Sequence, residues 1–203
     1  AYGLGSIPFG FLLVKYVLAR GVDIRTVGSG NVGATNVSRV AGLSGGLLTL
    51  LLDAGKGAAG VILAGHLTDQ ESEWMGVAAM MTIVGHVFPI WLKGRGGKGV
   101  ATGFGAFLVI SPLAMACALA VWVVMVGWKR YVSLGSITAA ASAPLLIWIV
   151  ESNFFHRETA DILPGLVAVT LGSALIIARH RENIRRLLQG SEHKFGSRVS
   201  VRS

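Results

Sequence analysis

Seven consecutive residues, from Lys93 to Gly99, combine four glycines with three cations. Glycine allows backbone conformations with positive φ and leaves the N–H groups uncovered by a Cβ atom. A concave arrangement of such amides binds anions, and Lys and Arg add net charge. Because this segment lies between strongly apolar stretches, the sequence predicts a phosphate-sized anion site at a membrane surface.

The same segment does not fit the Walker A pattern of ATPases. That pattern needs Gly six residues before the Lys and Ser or Thr directly after it. Relative to Lys98, these positions hold Leu92 and Gly99. ATP hydrolysis is therefore not supported.

A second glycine-rich segment, residues 28–36, precedes an apolar stretch and is followed by Arg39. Its hydroxyls, amides and backbone N–H groups could surround an oxygen-rich anion, and the helix that follows would add its N-terminus. The alternative is a solvated loop whose Ser and Thr cap that helix. Taking the first interpretation, we expect substrate contacts from Ser29, Asn31, Thr35, Asn36 and Arg39.

A third polar group opens the C-terminal segment. His180 and Asn183 are three residues apart and would share a helical face, with Glu192 and Lys194 beyond Gly190. We expect His180, Asn183 and Glu192 to contact substrate. The alternative is a basic tail that binds anionic lipid headgroups.

Further polar residues lie at or within apolar stretches. Asp53 and Lys56 are spaced i, i+3, and charges inside a membrane are usually paired, so we interpret them as a structural pair, with substrate contact as the alternative. His86 comes late in its stretch, where packing and hydrogen bonding are commoner roles than catalysis, and we expect it to be a substrate-binding residue. Ser133, Ser136 and Thr138 begin another stretch; helix caps are their ordinary role, but they face the same side as the anion-binding segments.

Composition favours a membrane protein. Of 203 residues, 53% are apolar and 14% are charged, whereas an average soluble domain is about a quarter charged. Mean hydropathy is +0.65 and the formal net charge is +8. Because the bases lie in short loops between apolar runs, anionic lipid is a better partner for them than nucleic acid. The single cysteine, Cys117, excludes an intrachain disulfide.

Six apolar stretches are long enough for membrane-spanning helices, which need about 20 residues. They are residues 2–18, 42–65, 74–92, 112–128, 131–150 and 162–178. Stretch 2–18 lacks an A-x-A-like cleavage site, so we interpret it as a span and not as a removed signal. Stretch 100–110 would reach only about 16 Å as a helix, and Pro112 separates it from the next one.

The distribution of charge decides how the short stretch is counted. With 100–110 as its own crossing and the N-terminus outside, the cytoplasmic segments are 19–41, 93–99, 129–130 and 179–203. They hold fifteen of the eighteen bases, and the external loops are acidic with Arg157 as their only base. This arrangement follows the positive-inside rule. The sequence therefore predicts an all-α polytopic protein with seven transmembrane helices, one of them short, in a single membrane-embedded domain, 1–203, with a cytoplasmic C-terminus. The tail's first residues, 179–189, can form an amphipathic helix.

The polar segments together resemble one family, the bacterial integral-membrane acyltransferases that move an acyl chain from acyl-phosphate to sn-glycerol-3-phosphate. The resemblance covers most of the chain, with Lys93-Gly94-Arg95 as a departure from the usual pattern. It rests on residues 28–36 with Arg39, on Gly85-His86-x-Phe88-Pro89 running to residues 96–102, and on His180-Arg181-x-Asn183-Ile184-x-Arg186-Leu187 with Glu192 and Lys194.

The resemblance implies a reaction that yields 1-acyl-glycerol-3-phosphate (lysophosphatidic acid) and inorganic phosphate, the first step of bacterial phospholipid synthesis. It implies glycerol-3-phosphate and acyl-phosphate as substrates, membrane lipids as surroundings, and neither a metal, another cofactor nor nucleic acid. It also implies an active site facing the cytoplasm from the bacterial inner membrane. A monomer is expected. The sequence carries no signal for acyl-chain length or for exclusion of thioester donors.

Residue roles carried over from the family place phosphate binding at Ser29, Thr35, Asn36, Arg39 and Lys98. Gly96, Gly97 and Gly99 would shape the loop, Thr102 would complete the substrate-binding motif, and Glu192 would support His180 and Asn183. Ser29, Lys98, Ser136 and His180 are the expected catalytic residues, with Ser136 as a candidate donor to the oxyanion. The proton acceptor is either His180 or the departing phosphate.

Two other interpretations fit parts of the sequence. A transporter or exchanger of a phosphorylated metabolite also needs a basic, glycine-lined site, but the polar segments lie at one surface and no internal repeat is visible. His156 and Asp161 fit the H-x-x-x-x-D pattern of a widespread class of glycerolipid acyltransferases. They lie in the acidic external loop, so we expect no catalytic role for them.

Overall fold

The computed structural model describes residues 1–19 and 21–196, and within these ranges the chain is helical, with no β-strand. Of the bases assigned to the cytoplasmic side, Arg20, Arg198 and Arg202 lie outside the described residues. The nine α-helices of the described part are α1 (Tyr2–Ser6), α2 (Phe9–Leu12), α3 (Ala34–Leu67), α4 (Ser72–Val87), α5 (Val100–Ile110), α6 (Pro112–Lys129), α7 (Val132–Ile149), α8 (Thr159–Arg179) and α9 (Arg181–Leu188).

Shorter turns extend several of these helices. Leu13–Leu18 and Val150–Phe154 are π-helical, whereas Ile24–Thr26 and Ile90–Leu92 are 3₁₀ turns. Among the described residues, five segments are long and apolar enough to cross a membrane, and Tyr2–Leu18 and Val100–Ile110 are shorter apolar helices. The predicted all-α membrane fold is confirmed. The count of seven crossings and their orientation stay predictions.

The first predicted span is interrupted at Pro8, between α1 and α2. Proline lacks an N–H and clashes with the preceding turn, so carbonyl groups before it lose their helical partners. At this break the carbonyl of Ile7 accepts hydrogen bonds from the N–H of Phe9 at 3.2 Å and from Nζ of Lys56 on α3 at 2.7 Å. Lys56 therefore ties the interrupted first segment to α3.

Helix α3 contains a sharp break at Gly42, where φ is 81° and ψ is 172°. This conformation is essentially restricted to glycine. The predicted span begins at this residue, and the structure extends helix on both sides of it. The part before the break carries Thr35, Asn36 and Arg39, while the part after it forms the apolar span.

Helices α3 and α5 pack with their backbones in close contact. A Cβ atom on Gly57 would collide with the carbonyl oxygen of Thr102, and one on Gly105 would collide with that of Ala54. Small residues permit this approach between membrane helices. These contacts hold the first half of α5 against the middle of α3, around Ala54 and Gly57. Helices α4, α6, α7 and α8 contribute the rest of the main apolar core.

Candidate active site

A cavity of about 430 Å³ lies where the three polar segments converge at one end of the helices. Most of the predicted site residues line it, although Gly96, Gly97 and Thr102 do not. Those that do are Ser29, Asn31, Thr35, Asn36, Arg39, His86, Lys98, Gly99, Ser136, His180, Asn183 and Glu192. Three segments distant in the sequence thus meet around one chamber.

The loop that precedes α3 is organised around the buried amide of Asn36. Its Oδ1 accepts the N–H of Ser29 at 3.0 Å, and its Nδ2 donates to the carbonyls of Val27 and Asn31 at 2.9 and 3.0 Å. Gly28 has φ of 63°, and a Cβ there would collide with the same amide. We therefore assign Asn36 the positioning of the loop, in place of the predicted grip on phosphate.

Ser29, Thr35 and Arg39 remain available at the edge of the chamber. Ser29 and Thr35 are exposed, and Arg39 is partly buried on the short helical piece before Gly42. Asn31 holds the turn between them, since its Oδ1 accepts the N–H of Gly33 at 2.8 Å. The segment can thus present two hydroxyls and a guanidinium to an anion.

The amide nest predicted for residues 93–99, which we call the glycine–lysine loop, is wrong in its location. The N–H groups of residues 93–97 donate to carbonyls of the preceding turn; those of Gly96 and Gly97 bond Val87 and His86 at 3.2 and 3.0 Å. The free amides lie further on, at the start of α5, where Gly99, Val100 and Ala101 line the cavity. A helix N-terminus binds anions for the same reason as a nest.

His86 packs against the glycine–lysine loop, and Asp53 lies on the other side of the His86 ring. The ring of His86 packs directly on Gly97, where a Cβ would collide with Nε2. Its Nδ1 lies 3.5 Å from Oδ1 of Asp53, which pairs with Nζ of Lys56 at 2.8 Å. The Asp53–Lys56 pair and His86, predicted as separate features, form one buried cluster beneath the loop.

Thr102 is fully buried on the first turn of α5, away from the cavity. Its carbonyl faces Gly57 of α3, and its Oγ1 has no hydrogen-bond partner within the described residues. We assign Thr102 to the contact between α3 and α5 in place of the predicted substrate contact.

Glu192 is the centre of the hydrogen-bond network on the other side of the chamber. Its Oε1 accepts from Ser133 Oγ at 2.8 Å and from Asn183 Nδ2 at 2.7 Å. Its Oε2 accepts from Arg186 Nε at 2.7 Å. The Oδ1 of Asn183 in turn accepts from Nζ of Lys98. The network joins the glycine–lysine loop to α7, to α9 and to the segment after α9.

The charges around Lys98 make the chamber positive. Burial, together with the nearby Arg186 and Arg39, lowers the pKa of Lys98 to about 8, although Glu192 opposes this shift. Burial would raise the pKa of Glu192, but its hydrogen bonds from Asn183, Ser133 and Arg186 hold it below the ordinary value. Glu192 is therefore a carboxylate at neutral pH, and it is already bound to its partners.

His180 is neutral in this setting. Burial, followed by the charge of Lys98, lowers its pKa to about 4. Its Nδ1 lies 2.7 Å from the carbonyl oxygen of Ile176, and since a carbonyl only accepts, Nδ1 carries the proton. The Nε2 atom is then an acceptor on a side chain that lines the chamber.

Ser136 also lines the chamber, but its hydroxyl is occupied. It donates to the carbonyl of Val132 at 2.9 Å and accepts from Trp122 Nε1 at 3.3 Å. A role as oxyanion donor requires the hydroxyl to rotate away from Val132. Ser133, from the same group of hydroxyls, also lines the chamber, and Trp122 lines it although the sequence analysis does not predict it.

Away from these polar groups, the chamber continues as an apolar cavity between α3, α5, α6, α7 and α8. Its walls carry, among others, Phe104, Phe107, Met115, Ala143 and Val169. One continuous space therefore has a polar mouth, which we define by Ser29, Arg39, Lys98, His180, Asn183 and Arg186, and an apolar interior.

The family model described as Glycerol-3-phosphate acyltransferase matches residues 1–190. The chain belongs to the glycerol-3-phosphate acyltransferase family. The enzyme of that name from Syntrophotalea carbinolica is 51% identical over 197 residues, which cover 96% of this chain and 94% of the relative. That of Geobacter sulfurreducens is 47% identical over 196 residues, with the same coverage of both chains. The resemblance drawn from the motifs is confirmed.

Two solved structures of PlsY (YgiH), an integral membrane glycerol 3-phosphate acyltransferase, are similar to this acyltransferase. The glycerol 3-phosphate form has a TM-score of 0.84 and 42% identity, and covers 96% of this chain and 92% of its own. The lysophosphatidic acid form has a TM-score of 0.82 and 41% identity, with coverage of 96% and 91%. The shared fold is that of an integral membrane protein.

The opposite end of the acyltransferase carries a second cavity of about 270 Å³, which we call the opposite cavity. Glu151, Arg157 and Asp161 are its ionisable lining residues. Glu151 is buried; it accepts a hydrogen bond of 2.5 Å from Ser111 Oγ and lies 3.4 Å from Arg157 Nε. His156 is exposed with φ of 50° and does not line this cavity. The H-x-x-x-x-D residues thus lie far from the polar mouth.

Proposed function

We propose that this acyltransferase moves an acyl chain from acyl-phosphate to the sn-1 hydroxyl of glycerol-3-phosphate, as the first step of phospholipid synthesis at the cytoplasmic face of the bacterial inner membrane. The products are 1-acyl-glycerol-3-phosphate and inorganic phosphate. The observation that carries the proposal is the continuity of the cationic polar mouth with the apolar cavity. One domain then holds two phosphorylated reactants together with a fatty chain.

Binding divides between two groups of donors. Lys98 and the free amides at the start of α5 form one anion-binding unit, and Arg39 with Ser29 and Thr35 forms another. Arg186 adds a third cation, although part of its charge is balanced by Glu192. Two phosphate groups repel each other, and fixed cations offset this repulsion while they orient the reactants. Orientation alone can lower a bimolecular barrier by several kcal/mol.

The chemical step exchanges one C–O bond for another. The glycerol hydroxyl oxygen bonds to the acyl carbonyl carbon, and the bond from that carbon to the phosphate oxygen breaks. Acyl-phosphate is already an activated anhydride, so a covalent enzyme intermediate is not required. The developing oxyanion is stabilised by backbone N–H groups at the start of α5, with Ser136 contributing after rotation of its hydroxyl.

The hydroxyl proton goes to the departing phosphate in this proposal. An efficient general base has a pKa near the working pH, whereas the pKa of His180 is lowered to about 4. His180 is therefore assigned the orientation of the hydroxyl through its unprotonated Nε2. The phosphate oxygens lie beside the same hydroxyl and become more basic as the bond to carbon breaks.

We do not propose transport of a phosphorylated metabolite. The chain belongs to a family of acyltransferases. The chamber also ends among buried apolar side chains, such as Phe107 and Met115, which offer a phosphate no onward path. An acyl chain suits such an end.

The test of the donor is an assay of purified protein with glycerol-3-phosphate and either acyl-phosphate or acyl-coenzyme A as the only donor. We expect lysophosphatidic acid, detected by mass spectrometry, and an equal amount of inorganic phosphate from acyl-phosphate. Product from the thioester alone would overturn the assignment of the donor while leaving acyl transfer itself intact.

A further inference from the structure

The apolar cavity has a definite depth. On each of the five helices around it, lining residues run inward from the polar mouth and then stop. On α7 they extend from Val132 to Ala143, which corresponds to about 17 Å of helix rise. The innermost lining residues of the five helices are Ala54, Phe107, Met115, Ala143 and Val169. The helices α3, α6, α7 and α8 continue past this level without lining the cavity.

The cavity is closed at this depth and open at its side. Phe107, Met115 and Ala143 are only 3%, 3% and 6% exposed. Nearer the mouth, by contrast, the lining residues Leu51 and Leu119 are 68% and 46% exposed. A chain can therefore enter sideways from the lipid, but its end meets packed protein.

The closed end is built from two large side chains and a small one. Phe107 belongs to α5 and Met115 to α6, on either side of the break at Ser111-Pro112, and both are fixed in the main core. The ring of Phe107 extends toward α8, where a Cβ on Gly172 would stand 3.5 Å from it. The small side chain of Ala143 on α7 completes the closed end and fills less of it than a larger residue would. Protein cores are packed too tightly for such a site to yield freely to added atoms.

We propose that Phe107, Met115 and Ala143 form a floor that sets the acyl-chain length which this enzyme prefers. The proposal rests on the acyl-transfer function given above. When a chain's methyl end reaches the floor, each further methylene must displace packed side chains or leave the cavity. A chain that stops short leaves apolar surface uncovered, so the rate should peak at one length.

The test compares variants that move the floor in opposite directions. Met115→Ala deepens the cavity and Ala143→Leu shortens it. Matched controls are Leu113→Ala on α6 and Ala141→Leu on α7, since both residues are exposed and neither lines the cavity. Each protein receives an equimolar mixture of decanoyl, dodecanoyl, tetradecanoyl, hexadecanoyl and octadecanoyl phosphate, with glycerol-3-phosphate as the acceptor. Mass spectrometry of the lysophosphatidic acids then gives the ratios of kcat/KM.

We expect Met115→Ala to shift the product distribution toward longer chains and Ala143→Leu to shift it toward shorter ones. The ratio between adjacent long and short products should change by about tenfold or more, because adjacent products differ by two methylenes and one methylene alone gives about tenfold discrimination in an apolar pocket. Product ratios do not depend on how much of the protein is folded, so a poorly folding Ala143→Leu still reports its preference. Met115→Ala tests the floor independently of whether Ala143→Leu folds.

Wild-type product ratios in both variants would overturn the floor, as would shifts equal to those of the two controls. If acyl-phosphates of every length give no product with the wild-type protein, the donor assignment fails instead. The same length series is then run with coenzyme A thioesters. In that series, a shift toward longer chains in Met115→Ala and toward shorter chains in Ala143→Leu would support the floor. Wild-type product ratios in both variants would overturn it.

Discussion

The two ends of this acyltransferase are both built around a buried glutamate, yet only one end suits a phosphate. Glu192 accepts hydrogen bonds from Ser133, Asn183 and Arg186, and Glu151 accepts one from Ser111 and lies near Arg157. In each case the carboxylate joins helices that are distant in sequence. A buried glutamate is therefore not in itself the mark of the active end.

The difference lies in what surrounds each carboxylate. The cavity at the Glu192 end is lined by three cations, Arg39, Lys98 and Arg186, against the carboxylates of Asp53 and Glu192. Asp53 is already paired with Lys56. The opposite cavity has two carboxylates, Glu151 and Asp161, against Arg157 alone. Surplus positive charge and a free helix N-terminus distinguish the polar mouth, and the acidic end would repel the same substrate.

The largest expected effect comes from removing the central cation of the polar mouth. Lys98→Ala should lower kcat/KM for glycerol-3-phosphate by about 100-fold or more, the scale of losing one preorganised donor to a developing charge. Steady-state assays in detergent measure the loss, and thermal unfolding checks that the variant folds. Lys93→Ala should behave as wild type. Wild-type turnover by Lys98→Ala would remove the phosphate-binding role from this end.

The next effect concerns the glutamate that organises the mouth. Glu192→Gln keeps the shape but removes the charge that Arg186 contacts, and should lower kcat/KM by about tenfold, since hydrogen bonds to charged groups contribute about 1.5–3 kcal/mol. Glu192→Asp should recover part of the activity if Glu192 acts by positioning its neighbours. An unchanged KM and kcat in Glu192→Gln would show that the network only stabilises the fold.

A smaller, graded effect is expected from pH. The pKa of Lys98 is about 8 in the free enzyme, so the ammonium is present below that pH and is lost as pH rises through it. The profile of kcat/KM, which reports the free enzyme, should therefore fall above about pH 8. In Lys98→Arg this fall should disappear, because a guanidinium stays protonated. A fall that persists in Lys98→Arg would assign the titration to another group.

The smallest effect on activity is expected at the opposite end. Glu151→Ala leaves the hydroxyl of Ser111 buried without its partner and should cost about 1–3 kcal/mol of stability, while KM for glycerol-3-phosphate stays unchanged. Thermal unfolding and steady-state kinetics separate the two quantities. His156→Ala, an exposed change in the same region, should alter neither. A catalytically dead His156→Ala would revive the H-x-x-x-x-D alternative.

Most of the helices could be predicted from apolar stretches alone. The segments 100–110, 112–128 and 131–150 agree with α5, α6 and α7 to within a residue at each end. They agree because Pro, Ser and basic residues separate the apolar stretches in this part of the chain. Segment 2–18 is interrupted at Pro8, a break that the proline itself could have signalled.

The candidate site was predictable in its residue types and less so in its contacts. The motifs identified Lys98, Asn183 and Glu192 as members, and the structure brings all three together. Which amides stay free could not be predicted, because the N–H groups of residues 93–97 are satisfied by carbonyls of a turn whose path depends on packing. The hydrogen bonds of Asn36 within its own loop could not be predicted for the same reason, because the path of that loop also depends on packing.

The break at Gly42 carries a consequence for how this sequence can vary. A Cβ atom there would touch nothing within 4 Å, so an alanine meets no steric obstacle from neighbours. The obstacle is the backbone, since φ of 81° is strained for any L-amino acid. Alanine at this position would favour an unbroken helical rod, and Arg39 would swing off the chamber. The alignment of one guanidinium with its ligand thus depends on the only achiral amino acid.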